Sequence, residues 1–434
     1  MRAQKISCRG GHLFMVKVYR FAAVRPERSA ASAIAAVPYD VVTADEARAI
    51  ITRSPRSFLR VSRSDAQIPD IPSNDNRVYQ LARENFLTLL KDGSIKQDST
   101  PSMYIYRVKR GDETFIGLCA CVDVDDYRAN RIRRHEQTRY EKEEDRTRHI
   151  EITRTHNGPV VLLYQDTGRI FTYIESLVPA GSVPDAEVMT ETGGLHQIFR
   201  IRDPLVLERI ITLFSRVPNL YIADGHHRAK SAVNVADRNH NNTGTGDEIN
   251  RFLGVLFAHD RVRIHGYSRL VTDLGANTPD TFLQLLKKYF DVKPYGEVDG
   301  CGFNIPPKLK NPHRQHVLHM YLDGVWYECT RHSDPVASIL DSLDVSVLQK
   351  FVLEGLLGIT DPRSDPRLQY LGGARPITDL AHLVDKGEYA VAFALQPMHV
   401  ETVLAIADAH GVMPPKSTWF EPKLLSGLVV HTFE

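Results

Sequence analysis

The sequence lacks any apolar run approaching the 18 or more residues needed to cross a membrane. It also lacks an excess of charge, because 54 Lys and Arg residues face 53 Asp and Glu residues and leave a net charge of +1. Proteins dedicated to nucleic-acid binding usually show a basic excess or a basic stripe. We therefore expect no membrane span, and the charge balance weighs against nucleic acid as a partner.

Cysteine is scarce: the five residues are scattered and form no C-x-x-C pair. This pattern favours a reducing compartment over a disulfide framework or a zinc site. The Walker A loop and the G-x-G-x-x-G pattern are absent. The zinc motif H-E-x-x-H fails as well, because Arg139 stands where the second histidine should follow His135-Glu136.

The first fourteen residues contain Arg2, Lys5 and Arg9 and no acidic residue. They lack the apolar block of a secretory signal. A short organelle-targeting extension and an untargeted tail ahead of Met15 both fit this composition. We expect a cytoplasmic protein, with organelle targeting left open.

A length of 434 residues, with 42% hydrophobic and 25% charged residues, is typical of a soluble protein of two or three lobes. Predicted β-hairpins are mixed with amphipathic helices, which favours the α+β class. One hairpin is predicted at residues 103–122 and a second at 159–174. A soft boundary near residue 275 suggests three parts: an N-terminal α/β segment at 15–100, a core at 101–275 and a C-terminal lobe at 276–434.

The most informative stretch runs from Leu220 to Arg228, where an apolar segment breaks into Asp-Gly-His-His-Arg. The apolar part predicts a buried strand, and the spacing of small apolar residues after Arg228 predicts a helix. Asp224 to Arg228 is then a strand-to-helix turn, in which Gly225 permits a close backbone approach. The unpaired N–H groups of a helix start attract phosphate.

Each side chain of this turn has a candidate role. Arg228, His226 and His227 add donors for a phosphate, and Asp224 could hold Mg²⁺ or a substrate hydroxyl. The alternative is that Asp224 only caps the helix and the histidines pair with the local backbone.

Two other stretches are rich in functional groups. Residues 131–151 interleave basic and acidic side chains, which is typical of a solvated helix face, but they include Glu136 as a candidate general base. Residues 413–423 form an irregular, proline-rich loop in which Lys416, Ser417 and Thr418 could bind phosphate oxygens. A surface clasp formed by Trp419 and Phe420 explains the same loop equally well.

Several of these blocks together resemble a widespread family long labelled a domain of unknown function, whose members often occur beside serine-biosynthesis genes. The resemblance runs from about Val16 to His431. The matching blocks are Pro38-Tyr39-Asp40, Arg134-His135-Glu136-x-Thr138, Lys142, Asp145-Arg146, Gly158-Pro159-Val160, Asp224-Gly225-His226-His227-Arg228 and Pro414-Pro415-Lys416-Ser417-Thr418-Trp419-Phe420-x-Pro422-Lys423.

The Asp-Gly-His-His-Arg turn, with a His-Glu pair earlier in the chain, is also similar to free L-serine kinases of the ParB/sulfiredoxin-like fold. This resemblance implies a ParB/sulfiredoxin-like core with additional α/β lobes at both ends. It implies that Glu136 is the base on the serine hydroxyl, with His135 and Asp224 in the catalytic group. It further implies that the turn formed by Asp224, Gly225, His226, His227 and Arg228 binds the phosphates of ATP or ADP.

Two hypotheses from different classes therefore stand. The first is a small-molecule kinase that converts L-serine to O-phospho-L-serine with ATP or ADP and Mg²⁺, with Lys416, Ser417 and Thr418 lining the same cleft. The second is a non-catalytic, ParB-like nucleotide-binding switch or nucleic-acid-associated protein. Glu136 and the near-neutral charge favour the kinase, and a homodimer is left open.

Overall fold

The computed structural model describes residues 15–239, 247–296, 315–372 and 375–433. These residues form two compact units. The first comprises the described parts of Met1–Arg133, Thr138–Arg261 and Lys423–Glu434, and the second those of Arg134–Gln137 and Val262–Pro422. Within the described ranges, every helix is too short or too polar to span a bilayer. The three-part division of the sequence stays a prediction.

The strands are numbered in chain order. They are β1 (Val18–Tyr19), β2 (Val24–Pro26), β3 (Ile95–Gln97), β4 (Met103–Arg110), β5 (Glu113–Asp123), β6 (Ile132–Arg133), β7 (Thr155–His156), β8 (Val160–Tyr164), β9 (Ala186–Met189), β10 (Leu195–Ile201), β11 (Leu220–Asp224), β12 (Arg251–Ala258), β13 (Arg263–His265), β14 (Tyr267–Val271), β15 (Asp291–Pro294), β16 (Gln315–Leu322), β17 (Val325–His332), β18 (Leu368–Gly372), β19 (Val391–Leu395), β20 (Trp419–Glu421) and β21 (His431–Thr432).

The α-helices are numbered in the same way. They are α1 (Ala31–Ile34), α2 (Ala44–Arg53), α3 (Leu59–Ser62), α4 (Asn76–Lys91), α5 (Val124–Arg128), α6 (Tyr140–Thr153), α7 (Arg169–Ser176), α8 (Pro204–Phe214), α9 (His226–Arg238), α10 (Pro279–Leu286), α11 (Asp344–Leu348), α12 (Thr378–Asp385) and α13 (Val400–Asp408). A π-helix, Gln349–Glu354, follows α11 directly.

The first unit is built on a mixed sheet in the order β6-β11-β8-β12-β5-β4-β10-β9, with β1 paired to β5. The pairs β6/β11 and β8/β12 are parallel, and the other pairs are antiparallel. Alternate residues of β5, such as Leu118 and Ala120, join a buried core that also receives apolar side chains of α7, α8 and α9. This arrangement confirms the α+β class.

A separate apolar cluster in the same unit joins the N-terminal helices to β2 and β3. Helix α2 begins directly after Thr43, because Thr43 and Glu46 form a capping box: each side chain accepts from the other's backbone N–H. Helix α4 presents the buried face of Val78, Ala82, Phe86 and Leu89 that its apolar spacing predicts.

The second unit contains a six-stranded sheet in the order β15-β17-β16-β19-β14-β18. Both of its faces are covered, since consecutive residues of β19 belong to different cores. Phe393 packs in a cluster with α10, α11 and the π-helix, whereas Ala392 and Ala394 pack in a cluster with α12. This alternation follows from the period of two along a strand.

The second predicted hairpin is wrong. Residues after Gly168 form helix α7, and β8 pairs with β11 and β12 instead. The helix starts because the Asp166 carboxylate accepts from the backbone N–H groups of Ile170 and Phe171, at 3.3 and 2.8 Å. Ile170 and Ile174 then lie one turn apart on the buried face.

Candidate phosphate-binding turn and acidic residue

The predicted strand-to-helix turn is confirmed. Strand β11 ends at Asp224, Gly225 has a φ of 96° in the left-handed region, and α9 begins at His226. A side chain at this position would be strained by that φ, and its Cβ would lie 3.0 Å from Cζ of Arg228. Glycine therefore lets the guanidinium of Arg228 fold back over the turn.

The helix-capping interpretation of Asp224 is wrong. Gly225 is the N-cap of α9, and a glycine has no side chain with which to cap the helix. The Asp224 carboxylate instead accepts from two cations, with 2.8 Å between Oδ2 and Nη2 of Arg228 and 3.3 Å between Oδ1 and Nζ of Lys423. Burial raises the pKa of Asp224, but the charges of Lys423 and Arg228 outweigh burial and hold that pKa well below its usual range.

The two histidines of the turn differ in environment. His226 is buried, whereas His227 is half-buried, and its Nε2 accepts from the backbone N–H of Arg139 at 3.1 Å. Burial and the charge of Lys142 lower the pKa of His227, so its imidazole is neutral near pH 7. With Nε2 acting as an acceptor, the ring proton of the neutral form is on Nδ1. His227 therefore pairs with the backbone of a residue 88 positions away, not with the local backbone that one alternative predicted, and it keeps an N–H donor.

Other blocks of the family pattern surround Arg228. Its Nη1 donates to the Pro159 carbonyl, and a Cβ on Gly158 would lie 3.0 Å from its Cδ. A cavity of about 20 Å³ beside Arg228 is bounded by Tyr39 and Arg146, and it has room for about one water molecule. Arg146 stacks on Tyr39 with its Cζ 4.4 Å from the ring centre.

This site thus contains four residues for which no individual role was predicted from the sequence: Tyr39, Asp40, Arg146 and Lys423. Burial and the charge of Asp40 raise the pKa of Tyr39 to about 12, so its hydroxyl stays protonated at neutral pH. The negative charge of Asp40 also favours the protonated forms of Arg228 and His227 and so raises the pKa of each. The family blocks that contain these residues were the available signal.

His135 and Glu136 belong to the second unit. His135 is buried, its carbonyl accepts from the Met413 N–H at 2.9 Å, and its ring packs against Phe420 with 6.2 Å between centres. Glu136 is half-buried in a bend that precedes α6. The helix predicted for residues 131–151 is confirmed from Tyr140 onward, in α6, but not at Glu136, because the neighbouring residues Ile132 and Arg133 pair with β11.

The proline-rich loop lies in the second unit as far as Pro422, and it is more ordered than the sequence indicates, since β20 near its end pairs with β13. Lys416 is exposed, with Nζ 5.4 Å from the centre of the Tyr267 ring. The Ser417 hydroxyl donates to the Pro414 carbonyl at 2.6 Å. Phe420 is buried, so it does not form a surface clasp. That Lys416, Ser417 and Thr418 share a ligand with the Asp224 turn stays a prediction.

The described residues contain no group of three or more His, Cys, Asp or Glu side chains that could hold a metal by itself. Mg²⁺ in nucleotide sites is commonly bound by one or two carboxylates together with substrate phosphates. The turn offers the carboxylate of Asp224, and the charges of both Asp224 and Asp40 raise the pKa of Arg228 in this turn. These carboxylates fit that second arrangement.

Residues 18–346 match the family described as "Protein of unknown function (DUF1015)". The chain belongs to the DUF1015 family. This confirms the resemblance to a widespread family of unknown function. No curated protein matches the chain.

Three solved structures are similar to this DUF1015 chain. A free serine kinase in complex with AMP is 14% identical, with 73% of this chain and 91% of that chain covered and a TM-score of 0.37. A conserved hypothetical protein from Pyrococcus furiosus is 14% identical, with 73% and 95% covered and a TM-score of 0.35. SbnI with a C-terminal truncation, from Staphylococcus aureus, is 11% identical, with 71% and 85% covered and a TM-score of 0.36. Similarities of this size assign no activity to the chain.

Proposed function

We propose that this protein is a phosphotransferase that moves the terminal phosphoryl group of ATP or ADP to the hydroxyl of free L-serine. The observation that carries the proposal is the turn from Asp224 to Arg228: a helix start whose N-cap is a glycine, beside two cations that share one carboxylate. The N–H groups of a helix start and nearby cations are the donors that nucleotide phosphates require. We propose L-serine as the phosphoryl acceptor because the Asp-Gly-His-His-Arg and His-Glu motifs resemble those of free serine kinases. A ParB/sulfiredoxin-like core is proposed on the same ground.

Phosphoryl transfer requires little covalent work from a protein. It requires donors that hold the phosphates and a group that takes the proton of the attacking hydroxyl. Arg228, the first N–H groups of α9 and Nδ1–H of His227 are the proposed phosphate donors. Mg²⁺, when bound, neutralises charge on the phosphate oxygens, and Asp224 is its proposed protein ligand.

Glu136 is proposed to accept the proton of the serine hydroxyl, with His135 as its neighbour in the catalytic group. The serine oxygen then bonds to the terminal phosphorus, and the nucleotide leaves one phosphate shorter. A positioned base is typically worth 10²- to 10⁴-fold in rate, because a serine hydroxyl is a weak nucleophile.

The test is to incubate the purified protein with L-serine, Mg²⁺ and either ATP or ADP, and to detect phosphoserine by mass spectrometry. Glu136→Gln keeps the shape of the side chain but removes the base, so the rate should fall by about 10²- to 10⁴-fold while nucleotide still binds. Glu208→Gln, on the exposed face of α8, is the matched control and should keep the parent rate. A Glu136→Gln rate equal to that of the parent would remove the general base from the proposal.

The parent protein also decides between the two hypotheses. Nucleotide binding without phosphoserine, with any donor tried, would favour the non-catalytic switch. Arg228→Ala should weaken nucleotide binding by about 1.5–3 kcal/mol, the range for a hydrogen bond to a charged group. Unchanged affinity in a calorimetric titration would contradict the phosphate role of the turn.

A further inference from the structure

Two cations share the Asp224 carboxylate, and they are held very differently. Arg228 is fixed, since its guanidinium bonds both to Asp224 Oδ2 and to the Pro159 carbonyl and its side chain is 11% exposed. Lys423 is 25% exposed, and its Nζ lies 3.3 Å from Asp224 Oδ1. That separation exceeds the 2.7–2.9 Å typical of a strong charge-assisted hydrogen bond. The lysine contact is therefore the weaker of the two and the easier one to exchange.

The C-terminal segment does not depend on Lys423 for its attachment to the first unit. The Leu425 N–H donates to the Tyr106 hydroxyl at 3.1 Å, Val430 exchanges backbone hydrogen bonds with Val24, and β21 pairs with β7. These contacts anchor the segment on both sides of Ser426. An ion pair at Lys423 thus adds little that the fold lacks, although it brings an ammonium group to the edge of the Asp224 turn.

We propose that Lys423 is a phosphate-binding residue of this turn and that Asp224 positions its ammonium group for the ligand. The inference rests on the proposed function, because it assumes that the turn holds nucleotide phosphates. Lysine suits an exchangeable contact, since its ammonium is a compact charge on a flexible stem. When a phosphate arrives, Nζ bonds to a phosphate oxygen and leaves Asp224 Oδ1, which becomes available to the Mg²⁺ that accompanies the nucleotide.

The exposed carboxylate of Asp40 also raises the pKa of Arg228. Water screens an exposed charge, so Asp40 competes weakly with a phosphate for the cations of the turn. Asp224, by contrast, is only 27% exposed and lies in direct contact with Lys423. It is therefore the group that determines where the ammonium rests before a ligand binds.

The experiment compares the parent protein with Lys423→Met by isothermal titration with ADP and with adenosine, each in the presence of Mg²⁺. Lys423→Met should weaken ADP binding about 10- to 100-fold and leave adenosine binding unchanged, because only ADP carries phosphates. Lys423→Arg should restore part of the loss. Lys96→Met is the control: it removes an exposed ion pair between Lys96 and Glu27, and it should change neither titration.

Positioning by Asp224 has its own readout. Asp224→Asn should weaken ADP binding less in the Lys423→Met background than in the parent, because both changes then remove the same contact. Additive losses would contradict positioning.

The remaining outcomes separate this inference from the function on which it rests. A parent protein that binds ADP, with a Lys423→Met variant that binds it equally well, overturns the role of Lys423 alone. Equal losses for ADP and adenosine would also overturn it, by assigning the lysine to the fold. A parent protein that binds no nucleotide ends both proposals.

Discussion

Acid should unfold this protein through histidines that the fold buries in the neutral form, and His196 is the best placed for a test. It lies on β10, is 5% exposed, and its Nδ1 is 3.0 Å from the Tyr106 hydroxyl. That hydroxyl also accepts from the Leu425 N–H, at 3.1 Å. Burial lowers the pKa of His196 from 6.5 to about 4.

The sign follows from proton binding. The unfolded chain takes up this proton as the pH falls through 6.5, whereas the folded chain takes it up only near pH 4. The free energy of unfolding therefore falls as the pH decreases through that window. pH 5 lies about 1.5 units below the unfolded-state pKa of 6.5 and above the folded-state pKa, so the loss of unfolding free energy at pH 5 is about 2 kcal/mol, at ~1.36 kcal/mol per unit.

The assay is urea unfolding of the parent and of His196→Gln at pH 7 and pH 5. Between these two pH values the parent should lose about 2 kcal/mol more than the variant, because glutamine does not titrate. Comparing each protein with itself removes the cost of the substitution. His382→Gln, at an exposed position, is the control. The same pH dependence in the parent and in His196→Gln would refute the reasoning.

Two further predictions concern the local structure. Gly225→Ala should lower stability by about 1–3 kcal/mol, because a residue with a side chain is forced to a φ of 96°. It should also weaken ADP binding, because the new Cβ pushes Arg228 aside. Scanning calorimetry measures the first effect and titration calorimetry the second. Asp166→Ala should lower stability by about 1 kcal/mol, since the first-turn N–H groups of Ile170 and Phe171 lose their acceptor; an unchanged thermal midpoint would contradict this role.

The sequence was sufficient for features whose cause is local. The break from Leu220–Ala223 into Asp224-Gly225 predicts the turn, because a short apolar strand, a glycine and a helical spacing are adjacent in the chain. The capping box at Thr43 is local in the same sense. The prediction of a strand at residues 169–176 was wrong, because a short apolar stretch suits either a strand or a helix. The contact that decides for the helix is the hydrogen bond from the Phe171 N–H to the Asp166 carboxylate.

The partners of the turn could not be predicted, because they are distant in the chain. Lys423 is 199 residues from Asp224, and Pro159 is 69 residues from Arg228. No local pattern specifies such pairs; they arise when the sheet and the C-terminal segment are assembled. Asp224 was expected to be a cap or a metal ligand because Lys423 could not be recognised as its partner; the pair with Arg228, only four residues away, is local.

The tautomer of His227 gives a last prediction, one that separates its two ring nitrogens. Nε2 accepts from the Arg139 N–H, which leaves Nδ1 as the only donor of the neutral ring. Asparagine places its amide near the position of Nδ1, whereas glutamine reaches the position of Nε2. His227→Asn should therefore keep a phosphate donor but lose the acceptor for Arg139. His227→Gln should keep the acceptor and lose the donor.

The two variants should then fail in different assays. His227→Gln should weaken ADP binding by about 1 kcal/mol, roughly fivefold, the typical value of one hydrogen bond, while hydrogen exchange of the Arg139 amide stays slow. His227→Asn should bind ADP nearly as well as the parent but exchange the Arg139 amide faster, because that N–H loses its partner. The opposite pairing of results would mean that Nδ1 carries no phosphate contact and that His227 serves only to hold the chain ahead of α6.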